Sequence, residues 1–161
     1  MPPNESSRAA LSTRLPAENA AWEAMLTLLN DEEQALVNGE ADRLTQLNTT
    51  KLTQLQTLNT LAQARHDDLV AAGHTADASG MDAWLAQHGR PEHRASWQQL
   101  RDMERQAQAA NQRIGKLIEL RLNATRQALN VLIQSAASHG GLYDEAGLSV
   151  ASRGGKPLKS V

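Results

Sequence analysis

A chain of 161 residues and 17.5 kDa has room for one domain, and with no Phe, one Tyr and three Trp its core must come from Leu, Ala and Met. That composition, rich also in Gln, Arg, Glu and Asp, suits helices meeting along narrow seams and does not suit a sheet. A formal net charge of -2 gives no global reason to seek nucleic acid, and the lack of Cys removes disulfide frameworks, thiol nucleophiles and cysteine zinc sites while suiting a reducing compartment.

The N-terminus, MPPNESSRAALSTRLP, is polar and broken by prolines. It lacks an apolar h-region, so no secretory signal is expected. No apolar run approaches the ~20 residues that cross a bilayer, which argues against stable membrane insertion and for the cytoplasm. Residues 1–15 are expected to be a flexible arm, residues 16–138 a helical bundle domain and residues 139–161 a flexible tail.

The first helix is predicted from Pro16, whose missing N–H costs nothing in a first turn, to Val37. Trp22, Met25, Leu26, Leu29, Leu36 and Val37 form its apolar stripe, and Asn38-Gly39 is the stop. The second helix runs to about Ala72, with Leu44, Leu47, Leu52, Leu55, Leu58, Ala62 and Leu69 on one face and Lys51 and Arg65 at or beside it. Thr, Gln and Asn fill the other side. Residues 73–91 break the periodicity into a loop, a short helix with Trp84 and Leu85, and a turn at Gly89-Arg90-Pro91. Trp84 is expected to pin this connection to the bundle.

The last helix begins at Pro91. Its stripe comprises Leu100, Met103, Ala107, Ala110, Ile114, Leu117, Ile118, Leu122, Leu129, Leu132 and Ala136, and it broadens where Leu120, Val131 and Ile133 lie on the flanks. A second helix of roughly 33 residues lying antiparallel from the Pro91 end reaches only to about Ala124 at ~1.5 Å per residue. Leu129, Val131, Leu132 and Ile133 are therefore expected to stand beyond the bundle by about 20 Å, an exposed apolar surface of the kind that marks an interaction site. The covered half, from Ile114 to Leu122, is predicted core. The same alignment brings Glu33 level with Arg121 as an expected ion pair. Mid-helix Gly115 costs ~1 kcal/mol relative to Ala, for which close helix approach is the simplest reason.

The fold expected is all-α: an elongated antiparallel three-helix bundle or coiled coil, with a short extra helix between its second and third long helices. Chemistry is not indicated. His66, His74, His88, His93 and His139 lack HExxH or HxxxH spacing. Asp31-Glu32-Glu33 and Asp67-Asp68 read as solvated charge runs, and Gly154-Gly155-Lys156 lacks phosphate-loop spacing. Arg153, Lys156 and Lys159 are too few, without interleaved aromatics, for a nucleic-acid patch. No catalytic residue, metal site or cofactor is expected.

Asn111, Gly115, Leu117-Ile118, Arg121-Leu122, Ala128-Leu129, Leu132 and the following Leu142-Tyr143 with Gly147 resemble the C-terminal signature of FlgN, the bacterial flagellar export chaperone. The chain departs from that pattern at Ile114, where the family often has Asn before Gly, and at Asp144 and Ala146 in the tail. The resemblance implies a cytoplasmic chaperone of the hook-filament junction proteins FlgK and FlgL, which holds an aggregation-prone helical end of each and delivers it to the type III export gate. By position it makes Leu122, Leu129, Val131, Leu132 and Ile133 substrate contacts, and Leu142 and Tyr143 contacts of the gate protein FlhA. A different account of the apolar surplus is a homodimeric coiled-coil structural or adaptor protein without an export role. A membrane-surface helix fits less well, because the broad apolar face lacks a dense Lys/Arg flank.

Overall fold

The computed structural model describes the backbone of residues 5–154 and the side chains of residues 10–138. Four helices follow in order: α1 (Glu5–Asn38), α2 (Ala41–Ala71), α3 (Ala78–His88) and α4 (Pro91–Gly154). No strand occurs among the described residues. The chain divides into two compact units, Met1–Leu117 and Ile118–Val161.

Glycine closes both long helices of the first unit. Gly39 and Gly73 have φ of 72° and 82°, the left-handed conformation in which a side chain is strained. In each case the glycine N–H and the next N–H turn back onto the last carbonyls: Gly39 to Leu36 and Glu40 to Ala35, Gly73 to Val70 and His74 to Leu69. This paired cap satisfies groups that a helix end would otherwise leave orphaned. At the start of α3 the Asp77 side chain accepts from the Gly80 N–H at 2.7 Å and from the Thr75 hydroxyl at 2.7 Å. A Cβ on Gly80 would stand 1.8 Å from the Thr75 carbonyl oxygen, so only glycine fits there.

The α1 helix begins at Glu5, where the sequence predicts an arm up to residue 15, and Pro16 lies inside it. Leu11 and Leu15 are fully buried. Burying a leucine is worth about 1.5–3 kcal/mol, so the two together match or exceed the ~3 kcal/mol that an interior proline costs. From Leu11 the covered positions of α1 step by fours and threes through Leu15, Glu18, Trp22, Met25, Leu29, Glu32 and Leu36, the repeat of a coiled-coil seam.

Two apolar clusters fill the first unit. One gathers Leu11 and Leu15 with Leu69 of α2, Met81, Trp84 and Leu85 of α3, and Trp97 and Leu100 of α4, so Trp84 anchors the connection as the sequence suggests. The other joins Met25, Leu29 and Leu36 to Leu58 and to Ala107, Ala110 and Ile114. Pairings between helices give their directions. Arg14 with Asp68, Glu18 with Arg65 and Glu32 with Lys51 rise along α1 and fall along α2, so these two run antiparallel. The Asn19 amide donates to the Ser96 carbonyl and Arg113 donates to Glu33, so α1 and the first part of α4 run the same way.

Several expectations change. Leu52, Leu55 and Val37, placed on apolar faces by periodicity, are exposed. The covered part of α4 ends earlier than Leu122: Ile114 is its last buried residue among those described, Leu117 is half-buried, and Ile118, Leu120 and Leu122 are exposed. Helix length alone overstates cover, because the first turns of α2 contribute only half-buried Leu44 and Leu47 among exposed Asp42, Arg43 and Thr45. A Cβ on Gly115 meets nothing within 4 Å, so close helix approach does not explain that glycine. The α4 backbone is helical through Gly154, past residue 139 where a tail is predicted. Gly140 and Gly141 weaken a helix but keep their N–H groups, and the next residue without one is Pro157.

Candidate partner-binding surface

Two ion pairs drawn into the core position the scaffold. Arg65 Nε donates to Glu18 Oε1 at 2.8 Å, with both side chains almost wholly out of water, and its guanidinium lies 5.0 Å from the centre of the Trp97 ring. Trp97 in turn donates its indole N–H to Asp82 of α3 at 2.9 Å. Further along, Lys51 reaches Glu32 at 2.9 Å and the Asn111 side-chain oxygen at 3.5 Å. All four ionic residues stand at seam positions. An uncompensated charge there would cost several kcal/mol, so a slipped register that unpaired them is disfavoured.

Of the predicted structural residues, Glu33 accepts from Arg113, at 3.1 and 3.4 Å. Arg113 precedes the Arg121 suggested by the length alignment by about two turns, and Arg121 belongs to the second unit. Glu32 and Asp68 are not solvated charges: each neutralises a cation of a neighbouring helix. Sequence spacing had flagged Lys51 and Arg65 at the apolar face, and the signal that completes them is the acidic residue at the seam positions Glu18 and Glu32 of α1.

The second unit is different in kind. Every residue from Ile118 to Ser138 is exposed. Leu129, Val131, Leu132 and Ile133 keep 53%, 63%, 66% and 55% of their surface in water, and Leu122 51%. Ile118, Leu122, Thr125, Leu129, Leu132 and Ala136 recur at alternating steps of four and three, so one seam of coiled-coil spacing runs the length of the segment. Leu120, Ala124 and Val131 make a second, shorter stripe on the far side of the helix. From Gln127 to Ser138 there is no charged residue. An apolar seam in water whose last three turns carry no charge has the composition of an interface core.

The predicted gate residues Leu142 and Tyr143 lie outside the residues whose side chains are described. Among the described residues no group of three or more His, Asp or Glu could hold a metal ion, and no helix is long and apolar enough to cross a membrane.

A scan against protein families identifies residues 1–150 with the model described as FlgN protein. The chain belongs to the FlgN family. This is the family of flagellar export chaperones, and the match takes in both α1, whose first turns the C-terminal signature does not touch, and the exposed segment of α4. No curated protein and no solved structure matches the FlgN-family chain.

Proposed function

We propose that this FlgN-family protein is a cytoplasmic chaperone of FlgK and FlgL, and that the exposed segment of α4 captures a helical end of the unassembled subunit. The observation that carries this is the run from Ile118 to Ser138, exposed throughout and, from Gln127 on, without charge. Leu122, Leu129, Val131, Leu132 and Ile133 are the contacts. The partner's helix lays anchors at i, i+3 and i+4 against the seam, the mode by which amphipathic helices bind apolar surfaces. Its own polymerising surface is thereby covered until export.

The first unit is the scaffold in this account, an antiparallel three-helix bundle of α1, α2 and the first part of α4 with α3 packed across. The order of the ion pairs along α1 and α2, and of the Asn19 and Glu33 contacts along α4, supports it. Leu142 and Tyr143 dock on FlhA and deliver the cargo; this rests on the likeness of the tail to the family signature.

Co-purification separates the outcomes. The full chain is expected to retain FlgK and FlgL, whereas a chain ending at Asn123, or carrying Leu129→Asp with Leu132→Asp, loses both. Retention by the shortened chain would place the cargo site elsewhere, and a dimer that resists dilution and ignores both proteins would favour a structural coiled coil.

A further inference from the structure

The outward face of α2 carries a second seam that the core does not use. Between Arg43 and Arg65 its only charged residue is Lys51, and Glu32 draws that one inward. About six turns of exposed helix are thus left without a free charge, although interspersed charge of both signs is what ordinarily keeps helix faces soluble and apart. Depletion of Lys, Glu and Asp marks the core of interfaces.

On this face Asn48, Leu52, Leu55 and Asn59 are all exposed, Leu52 by 64% and Leu55 by 42%. They recur at steps of four, three and four, and they lie apart from Leu58, Arg65 and Leu69, which turn into the core. The seam is a palindrome: Asn-Leu-Leu-Asn reads the same from either end. An antiparallel copy of the same helix sets Leu52 against Leu55 twice and Asn48 against Asn59 twice. Facing amides can donate and accept together, and polar pairs of this kind fix register in coiled coils. In that register Arg43 falls level with Ala64, so no like charges meet. Self-complementarity is what a two-fold contact requires and what a contact with an unrelated helix does not.

We propose that a second copy of this chain docks on the outer face of α2, antiparallel, about a two-fold axis between Leu52 and Leu55. The contact uses no residue of the Ile118–Ile133 segment that the proposed function assigns to the cargo.

Sedimentation velocity of the full chain from low micromolar to submillimolar concentration tests this, with far-UV circular dichroism confirming that each variant keeps its helicity. Expected is a concentration-dependent dimer whose dissociation constant rises more than roughly tenfold in Leu52→Glu/Leu55→Glu, since apolar anchors at the centre of a contact dominate its energy. Because the native chain has no Cys, register can be read by disulfide trapping. Chains with Leu52→Cys mixed with chains with Leu55→Cys should cross-link, whereas Thr50→Cys with Thr57→Cys, level in the same register but on another side of α2, should not. A single monomeric species at every concentration would overturn the proposal. So would equal trapping by both pairs, or a dimer that survives the α2 double variant and is lost with Leu129→Glu/Leu132→Glu.

Discussion

Arg65 shows how one side chain serves both packing and register. It is paired with Glu18 in the core and roofed by Trp97. Removing only the cation, by Arg65→Met, strands a buried carboxylate and is expected to cost about 3–5 kcal/mol, whereas Glu18→Leu/Arg65→Met removes both charges and should recover most of that loss. Urea denaturation of the two variants measures the difference. Asp77 gives a pH dependence whose sign follows from its hydrogen bonds. The Thr75 hydroxyl, then the Gly80 N–H, hold its carboxyl below its ordinary value of 3.8. With the folded pKa below the unfolded one, the cap's contribution is complete above the unfolded value and disappears as the pH falls through the folded one. The Asp77→Asn variant should therefore differ from the native chain in thermal stability at neutral pH and converge with it in strong acid.

At the scale of elements, the limits of α2 and the existence of α3 were legible because Gly39, Gly73 and Gly89-Arg90-Pro91 punctuate the sequence there. The α1 start was not, since Pro16 reads as a first-turn residue unless the burial of Leu11 and Leu15 is known. Seam charges misled in the same way. Glu32, in a run of three acidic residues, looks like a surface residue until Lys51 of α2 is placed opposite. Periodicity also placed Leu52 and Leu55 in the core, because a wheel cannot say which of two adjacent seams a neighbour covers. The surplus on α4 was legible, since its apolar width and lack of charge are properties of the sequence alone, although exposure begins nearer Ile118 than Ala124. Gly115 stands in this helix with open space around it. Gly115→Ala is therefore expected to raise stability by about 1 kcal/mol, visible as a higher melting temperature.

For the whole molecule, a FlgN-family chain has divided its apolar residues between two tasks. The first unit buries Leu, Met and Trp and fixes their register with paired charges, and the second leaves leucines in water at coiled-coil spacing. Holding such a surface exposed is costly for a chain alone and useful for one that shields another protein's helix. The measurement that tests this most directly is amide hydrogen exchange with and without FlgK. Residues 118–138 are predicted to exchange fast in the free protein and to become strongly protected when FlgK is added, while the first unit changes little. Strong protection of that segment in the free monomer, or protection by FlgK confined to residues before Leu117, would contradict the account.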